Sequence, residues 1–137
     1  MKRFTPYKNA FCNRFFKPSN DVRKKISCEM NLQPAPFEKI KEKTKTIEMR
    51  LYDEKRKTLR AGDYVRFTNV ENGETLVCQV VALHPFANFE QLYQRFEKTT
   101  LGYAVEETAS PADMLAYYNQ DDVLRYGVLG IEIERVS

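Results

Sequence analysis

Four segments of the chain alternate apolar and polar residues, which is the pattern of strands that bury one face. Residues 26–32 and residues 44–52 each follow this period of two and predict the first two strands. A third and a fourth strand are predicted over residues 64–67 and 75–83, which flank the dipeptide Asn72-Gly73. Because Asn-Gly between two alternating segments is a strong hairpin signal, we expect these two strands to pair in antiparallel fashion.

Apolar residues at helical spacing occupy the gaps between the strands. A proline in the first turn predicts a short helix over residues 36–43. Asn88, with a glutamine three residues later, predicts the capped start of a second helix, and Ser110-Pro111 predicts the start of a third. A further helical turn is predicted over residues 121–126, and the valines and isoleucines of residues 128–136 predict a final strand.

The order of these elements favours an α+β fold in which a curved or barrel-like sheet carries helices on its outside. A doubly wound parallel sheet fits poorly, because the hairpin is central and no glycine-rich turn joins a strand to a helix. The chain has 137 residues, of which 42% are hydrophobic. This length and composition suit a single compact domain with its own core.

Positive charge is concentrated at the amino terminus. Residues 1–25 carry eight basic side chains and one acidic side chain, a net charge of +7, whereas the whole chain has a net charge of +3. The remaining residues, 26–137, therefore carry a net charge of −4. We interpret residues 1–25 as a basic arm and residues 26–137 as the folded domain. Aromatic residues interleaved with the basic ones could stack on bases beside phosphate contacts, or the arm could be merely solvated.

Few residues in the chain suit metal binding. His84 is the one histidine, and the three cysteines Cys12, Cys28 and Cys78 form no CxxC pair. We therefore predict no metal site and no cofactor. No apolar stretch is long enough to cross a membrane. The arm lacks the apolar core and the cleavage site of a signal peptide, so, together with the free thiols, we expect a cytoplasmic protein.

Residues 45–50 have the sequence Lys-Thr-Ile-Glu-Met-Arg, and Gly62-Asp63 follows further along the chain. Together these residues match the pattern of a known family. They resemble the ASCH domain, whose signature is GxKxxExR. The lysine, the glutamate and the arginine match three of its four positions, and Lys43 stands where the signature has glycine. The resemblance extends over about residues 26–137. It implies a small PUA-like β-barrel with flanking helices, which is an α+β fold.

The resemblance implies a cleft beside the barrel that binds RNA or a nucleotide. The residues that we expect to contact such a ligand are Lys45, Thr46, Glu48, Arg50 and Tyr126. Glu48 and Arg50 point to the same side of a strand, so they can line one pocket, where Arg50 can hold a phosphate or a base edge. Lys45 has the opposite parity and reaches that pocket only where the backbone bends. The alternative is a strand edge whose Lys, Glu and Arg side chains pair with one another in solvent.

Aromatic side chains near the closing strand are candidates for stacking on a base. Tyr117 and Tyr118 follow the predicted helix start at Ser110-Pro111, and Tyr126 precedes the final strand. Aromatic residues at helical spacing usually belong to a core, so contact between these rings and a ligand stays an open alternative.

An enzymatic function is the alternative to simple binding in the same cleft. Some ASCH proteins are amidohydrolases that deacetylate N4-acetylcytidine, with a lysine as base and a threonine nucleophile three residues later. Here Glu48 stands at the position of that threonine, so the catalytic residues of an enzyme would be Lys45 and Glu48. Glu48 would then act as a general base on water, given a pKa raised by burial. Other members are ribonucleases, in which Lys and Arg side chains could stabilise charge on the phosphate.

Overall fold

The computed structural model describes residues 25–136 and shows a mixed sheet surrounded by short helices in that range. The strands are β1 (Ile26–Leu32), β2 (Ile47–Leu51), β3 (Tyr64–Asn69), β4 (Thr75–Phe86) and β5 (Val128–Arg135). The α-helices are α1 (Pro34–Lys41), α2 (Glu54–Lys57), α3 (Phe89–Arg95), α4 (Lys98–Leu101) and α5 (Gln120–Tyr126), and a 3-10 helix covers Pro111–Ala116.

The five strands form one sheet in the order β1-β3-β4-β5-β2. β1 pairs parallel with β3, and the other three pairs are antiparallel, including β3 with β4 around the predicted hairpin. The sheet curls into a half-barrel flanked by the helices, which confirms the predicted α+β class and PUA-like architecture. The side chain of Arg50 connects the two edge strands. Its Nη2 on β2 donates to the carbonyl oxygen of Asn31 on β1 at 2.8 Å.

Apolar side chains form two buried clusters. The first packs α1 against the sheet and includes Phe37, Ile40, Val65, Phe67 and Ile131. The second packs α3, α4, α5 and the 3-10 helix against β2 and β5 and includes Met49, Leu92, Leu101, Met114, Val123 and Val128. Burial of each such side chain contributes about 1.5–3 kcal/mol, so both clusters hold the helices firmly on the sheet.

The predicted strands and the hairpin are confirmed, with changed boundaries. β2 is shorter than the predicted strand over residues 44–52, because residues 44–46 form a bend before the ladder with β5 begins. β4 continues to Phe86, three residues beyond its predicted end, because it stays paired with β5. The first helix covers Pro34–Lys41 instead of residues 36–43.

The predicted helix starts are also confirmed, and they depend on local side-chain caps. Oδ1 of Asn88 accepts a hydrogen bond from the backbone N–H of Gln91 at 2.9 Å. Oγ of Ser110 accepts one from the backbone N–H of Ala112 at 3.3 Å, although the helix that follows is a 3-10 helix. Each cap satisfies a backbone donor that the first helical turn leaves unpaired.

Helix α1 ends in a turn that depends on a left-handed residue, Lys43, whose φ is +70°. The backbone N–H of Lys43 donates to the carbonyl of Ile40, and that of Thr44 donates to the carbonyl of Lys39, both at 3.0 Å. These two bonds are those of a Schellman motif, in which the left-handed position favours glycine. The backbone conformation thus explains why the signature has glycine at this position, and the turn leads the chain directly to Lys45.

Cys28 and Cys78 are free and buried. Burial raises the pKa of Cys78 to about 12, so this thiol stays protonated and behaves as a small core residue. Among the described residues, no helix is both long and apolar enough to cross a membrane. Residues 25–136 also hold no group of three His, Cys, Asp or Glu side chains that could bind a metal ion. Cys12 and the basic arm up to residue 24 lie outside the described residues.

Candidate functional site

Lys45 lies in the bend between α1 and β2. Its backbone N–H donates to the carbonyl of Lys39 at 3.1 Å, and the backbone N–H of Thr46 donates to the carbonyl of Thr100 at 3.0 Å. Lys45 therefore precedes the ladder of β2 and does not follow the alternation of that strand. The bend allows its side chain to reach Glu48, which strand parity alone would place on the opposite face.

Glu48 joins Lys45 and Arg50 in a buried ionic cluster. Oε1 of Glu48 is 3.3 Å from Nζ of Lys45, and Oε2 accepts a hydrogen bond from Nε of Arg50 at 2.7 Å. Nζ of Lys45 also donates to the carbonyl of Leu101 at 2.9 Å. Lys45 and Glu48 are only 5% and 4% exposed, and 15% of the Arg50 side chain is exposed. The three side chains thus pair inside the protein and do not form a solvated strand edge.

Arg50 keeps one terminal nitrogen available for a ligand. Its Nε is engaged by Glu48, and its Nη2 is engaged by the carbonyl of Asn31. Within residues 25–136, Nη1 has no hydrogen-bond partner, and it is not among the fully buried nitrogens of that range. An accessible guanidinium N–H in a largely buried side chain is a strong donor for an incoming acceptor.

Opposing electrostatic effects set the charge states of the cluster. Burial by itself raises the pKa of Glu48, but the neighbouring Lys45 and Arg50 outweigh burial and lower that pKa below its ordinary value. Burial lowers the pKa of Lys45, and the carboxylate of Glu48 opposes this effect only in part. Burial also acts to lower the pKa of Arg50, but Glu48 raises it overall. With Lys45 protonated, the cluster therefore carries a net charge of +1.

The ionic cluster lines a cavity of about 430 Å³, a volume within the range of small-molecule sites. The end of β1 and the start of α1 contribute Asn31, Leu32 and Gln33 to the lining. Further lining residues come from α3, from the loop after α4 and from the 3-10 helix with the residues that follow it: Tyr93, Tyr103, Met114, Tyr117 and Tyr118. Since Lys45 and Glu48 are the buried polar members of the lining, we describe the ionic cluster as the floor of the cavity.

The hydroxyl groups of Tyr93 and Tyr103 form a hydrogen-bonded pair at 2.8 Å on the side of the cavity. The hydroxyl of Tyr103 donates to Oδ2 of Asp113 at 2.7 Å. Burial raises the pKa of both phenols, and for Tyr103 the hydrogen bonds to Tyr93 and Asp113 raise it further. Both tyrosines consequently stay protonated, and their hydrogen bonds tie the loop after α4 to α3.

Two of the lining tyrosines were candidates from the sequence, and two were not. Tyr117 is 65% exposed, and Tyr118 stacks on Phe89 with ring centroids 6.0 Å apart and an interplanar angle of 21°. Tyr93 carried no functional signal, because its helical spacing is that of a core residue. Tyr103 lies in a loop, where only the tertiary structure shows its partners.

Charges on the cavity lining are balanced. The basic side chains are Lys39, Lys45 and Arg50, and the acidic side chains are Glu48, Glu107 and Asp113. Lys39 and Glu107 belong to the exposed lip, since 34% and 53% of their side chains are accessible. The cavity is therefore not a basic groove that could follow a phosphate backbone.

Thr46 and Tyr126 are not brought to the cavity with the other predicted site residues. Thr46 is tied through its backbone, because its N–H bonds to Thr100 and its carbonyl accepts from the N–H of Ile133 at 2.9 Å. Tyr126 ends α5, and the guanidinium of Arg125 lies 5.2 Å from the centre of its ring. A ligand contact by either residue stays a prediction.

The half-barrel and its polar cavity define a PUA-like domain with an internal cavity. The family model described as the ASCH domain matches residues 30–137, and the chain belongs to this family. No curated protein matches the chain significantly.

Two solved structures are similar to the chain. One is the crystal structure of hypothetical protein PH0355, with 30% sequence identity, a TM-score of 0.67, and coverage of 80% of this chain and 98% of that chain. The other is the solution NMR structure of protein PF0455 from Pyrococcus furiosus, with 33% identity, a TM-score of 0.58, and coverage of 80% and 96% respectively. Both similarities agree with the observed architecture.

Proposed function

We propose that this ASCH domain binds a single nucleoside unit, free or within RNA, in the cavity above Lys45, Glu48 and Arg50. The observation that carries the proposal is a buried ionic cluster and four tyrosines around one cavity. Tyrosine rings can stack on a base, and the charged floor can hydrogen-bond its edge. The balanced charge of the lining favours one base over a long stretch of phosphate backbone.

The floor of the cavity favours a base that presents a carbonyl oxygen. Nη1 of Arg50 is a free donor, whereas both oxygens of Glu48 are already paired with cations. The carbonyl at C6 of guanine or at C4 of uracil can accept a hydrogen bond from Nη1, whereas adenine and cytosine carry an amino group, a donor, at the same positions. We therefore expect guanosine and uridine to bind about tenfold more tightly than adenosine and cytidine.

Isothermal titration calorimetry of the full chain with these four nucleosides tests the proposal. The variant Tyr117→Ala removes an exposed ring from the lining and should weaken guanosine binding by at least about fivefold, since base stacking is worth about 1–3 kcal/mol. Leu115→Ala is the matched control, because Leu115 lies in the 3-10 helix that ends next to Tyr117, is 49% exposed and does not line the cavity. Absence of binding by every nucleoside, or equal losses in the two variants, contradicts the proposal.

One observation supports the amidohydrolase alternative, namely that burial lowers the pKa of Lys45 beside the cavity. A less basic amine releases its proton more readily and could act as the base. The role of Glu48 as a base on water needs a raised pKa, whereas its ion pairs lower that pKa. Release of cytidine from N4-acetylcytidine, abolished in Lys45→Met, would favour the enzyme, and no turnover at high protein concentration counts against it.

We also infer that the protein acts in the cytoplasm, where thiols stay reduced. This inference is supported by the two free, buried thiols of Cys28 and Cys78. Fractionation of cells that express the full chain, followed by detection of the protein, checks this location.

A further inference from the structure

Two carboxylates stand at the lip of the cavity, each with one oxygen engaged. Oε1 of Glu107 accepts from the backbone N–H of Ala104 at 2.6 Å, and Oδ2 of Asp113 accepts from the hydroxyl of Tyr103 at 2.7 Å. Within residues 25–136, the second oxygen of each carboxylate has no hydrogen-bond partner. Both residues are exposed and line the same cavity as the ionic floor, so these oxygens are acceptors for a ligand.

The basic side chain at the lip, Lys39, is anchored beside Glu107. Its Nζ donates to the carbonyl of Gly102 at 2.6 Å and lies 3.8 Å from Oε1 of Glu107. The described part of the lip thus offers the two free carboxylate oxygens, whereas the floor offers the free donor of Arg50. A ligand that matches this arrangement has an acceptor at its inner end and hydroxyl donors at its outer end.

We propose that a ribonucleoside enters the cavity base first and that its ribose hydroxyls donate to Glu107 and Asp113. This inference rests on the proposed function and deepens it, because it names the sugar and the orientation. Carboxylates accept hydrogen bonds from ribose hydroxyls in other nucleotide sites, and the 2′-hydroxyl distinguishes ribose from deoxyribose. A phosphate on the ribose would meet two carboxylates and one ammonium at the described lip, a net charge of −1, so the preferred ligand is an unphosphorylated ribonucleoside.

Neutral variants of similar shape separate this role from folding. Glu107→Gln and Asp113→Asn keep an amide oxygen that can accept the bonds from Ala104 and Tyr103, while they remove the negative charge. Glu106→Gln is the matched control, because Glu106 is exposed next to Glu107 and does not line the cavity. Differences between the variants therefore report the charge at the lip.

The experiment is calorimetric titration of the full chain with guanosine, 2′-deoxyguanosine and guanosine 5′-monophosphate, in about 0.3 M salt to screen distant charges. We expect guanosine to bind about tenfold more tightly than either of the other two ligands. In the double variant E107Q/D113N both ratios should fall to about twofold or less, whereas E106Q should keep the ratios of the original chain.

Three results overturn this inference, and they differ in whether the proposed function is overturned with it. Equal affinities for guanosine and 2′-deoxyguanosine overturn it while the proposed function stands. If the tenfold affinity ratios persist in E107Q/D113N, groups other than the two carboxylates discriminate between the ligands, and the inference is again overturned. Absence of binding by all three ligands overturns both this inference and the proposed function.

Discussion

Glu48 shows how a single residue of the signature both pairs with two cations and lines the cavity. It is 4% exposed between Lys45 and Arg50, and its two oxygens are shared between these cations. Replacement of a buried carboxylate in such a pair lowers the stability of the fold strongly, because it leaves an uncompensated positive charge in the interior.

The variant Glu48→Gln should therefore lower the free energy of unfolding by about 3 kcal/mol at neutral pH. Urea denaturation followed by circular dichroism measures this loss. Glu54→Gln is the control, since 88% of the Glu54 side chain is exposed, and it should change stability by less than about 0.5 kcal/mol. A loss of similar size in both variants would show that the ionic cluster does not stabilise the fold.

The lowered pKa of Glu48 also predicts the pH dependence of stability. Its folded pKa lies below the ordinary value of 4.5, so the unfolded chain binds the proton more tightly than the native protein does. The stabilisation is complete above the unfolded pKa and is lost as pH falls below it through the folded pKa. Urea titrations between about pH 6 and pH 3 should show a steeper decline for the original chain than for Glu48→Gln. Parallel curves would contradict this assignment.

The left-handed backbone at Lys43 leads to a second prediction, which concerns stability. Its φ of +70° is costly for a residue with a Cβ, so Lys43→Gly should stabilise the protein by about 1 kcal/mol. Glu42→Gly, one residue earlier in a right-handed conformation with φ −82°, should instead destabilise it. Thermal unfolding of the two variants measures both effects, and a lower midpoint for Lys43→Gly would contradict the Schellman explanation.

At the scale of elements, the connection from α5 to β5 depends on close backbone approach at Gly127. A Cβ at this position would lie 2.9 Å from the carbonyl oxygen of Phe86, in a backbone that already has φ +73°. Gly73 in the hairpin has a similar φ of +79° but has open space around it. The two glycines share a positive φ, so Gly73 serves as the reference for Gly127, which adds a ψ of −174° and the contact with Phe86.

We expect Gly127→Ala to lower the free energy of unfolding by at least about 2 kcal/mol more than Gly73→Ala. Both variants share the strain of a positive φ, and only the first also forces the strand β4 away from the start of β5. Chemical denaturation of both variants measures the difference. Equal losses would show that the contact with Phe86 relaxes without effect on stability.

Across the whole chain, charge is divided unevenly between residues 1–25, the predicted arm, and the remaining residues. Residues 1–25 have a net charge of +7, residues 26–137 have −4, and the lining of the cavity is balanced. Affinity for a long RNA would thus need the arm, whereas affinity for one nucleoside would not. This division gives the two modes of binding different salt dependence.

Deletion of residues 1–25 should reduce the slope of log affinity against log salt for an RNA oligonucleotide, because fewer phosphate contacts release fewer counterions. The affinity for guanosine should stay unchanged. Fluorescence anisotropy measures the first quantity and calorimetry the second, and an unchanged midpoint of thermal unfolding controls for damage to the domain. Identical salt slopes with and without the arm would exclude its contact with RNA.

Features that depend on neighbours within a few residues could be predicted from the amino-acid sequence. The alternation in β1 and β2, the hairpin at Asn72-Gly73 and the cap at Asn88 are such features, because their periodicity and hydrogen bonds are local. The signature at Lys45, Glu48 and Arg50 also identified the family before the cavity was known, since residue types at fixed spacing need no tertiary contact.

The cavity and its lining, in contrast, depend on contacts between elements that are distant in the chain. Lys45 bonds to Leu101 and Arg50 bonds to Asn31, so each bond joins segments that are far apart in the chain. The burial of Glu48 likewise depends on elements that pack together from distant segments. The same is true of the tyrosines and the two carboxylates at the lip. Burial and cavity shape arise from packing between distant elements, and no period or spacing along the chain encodes them.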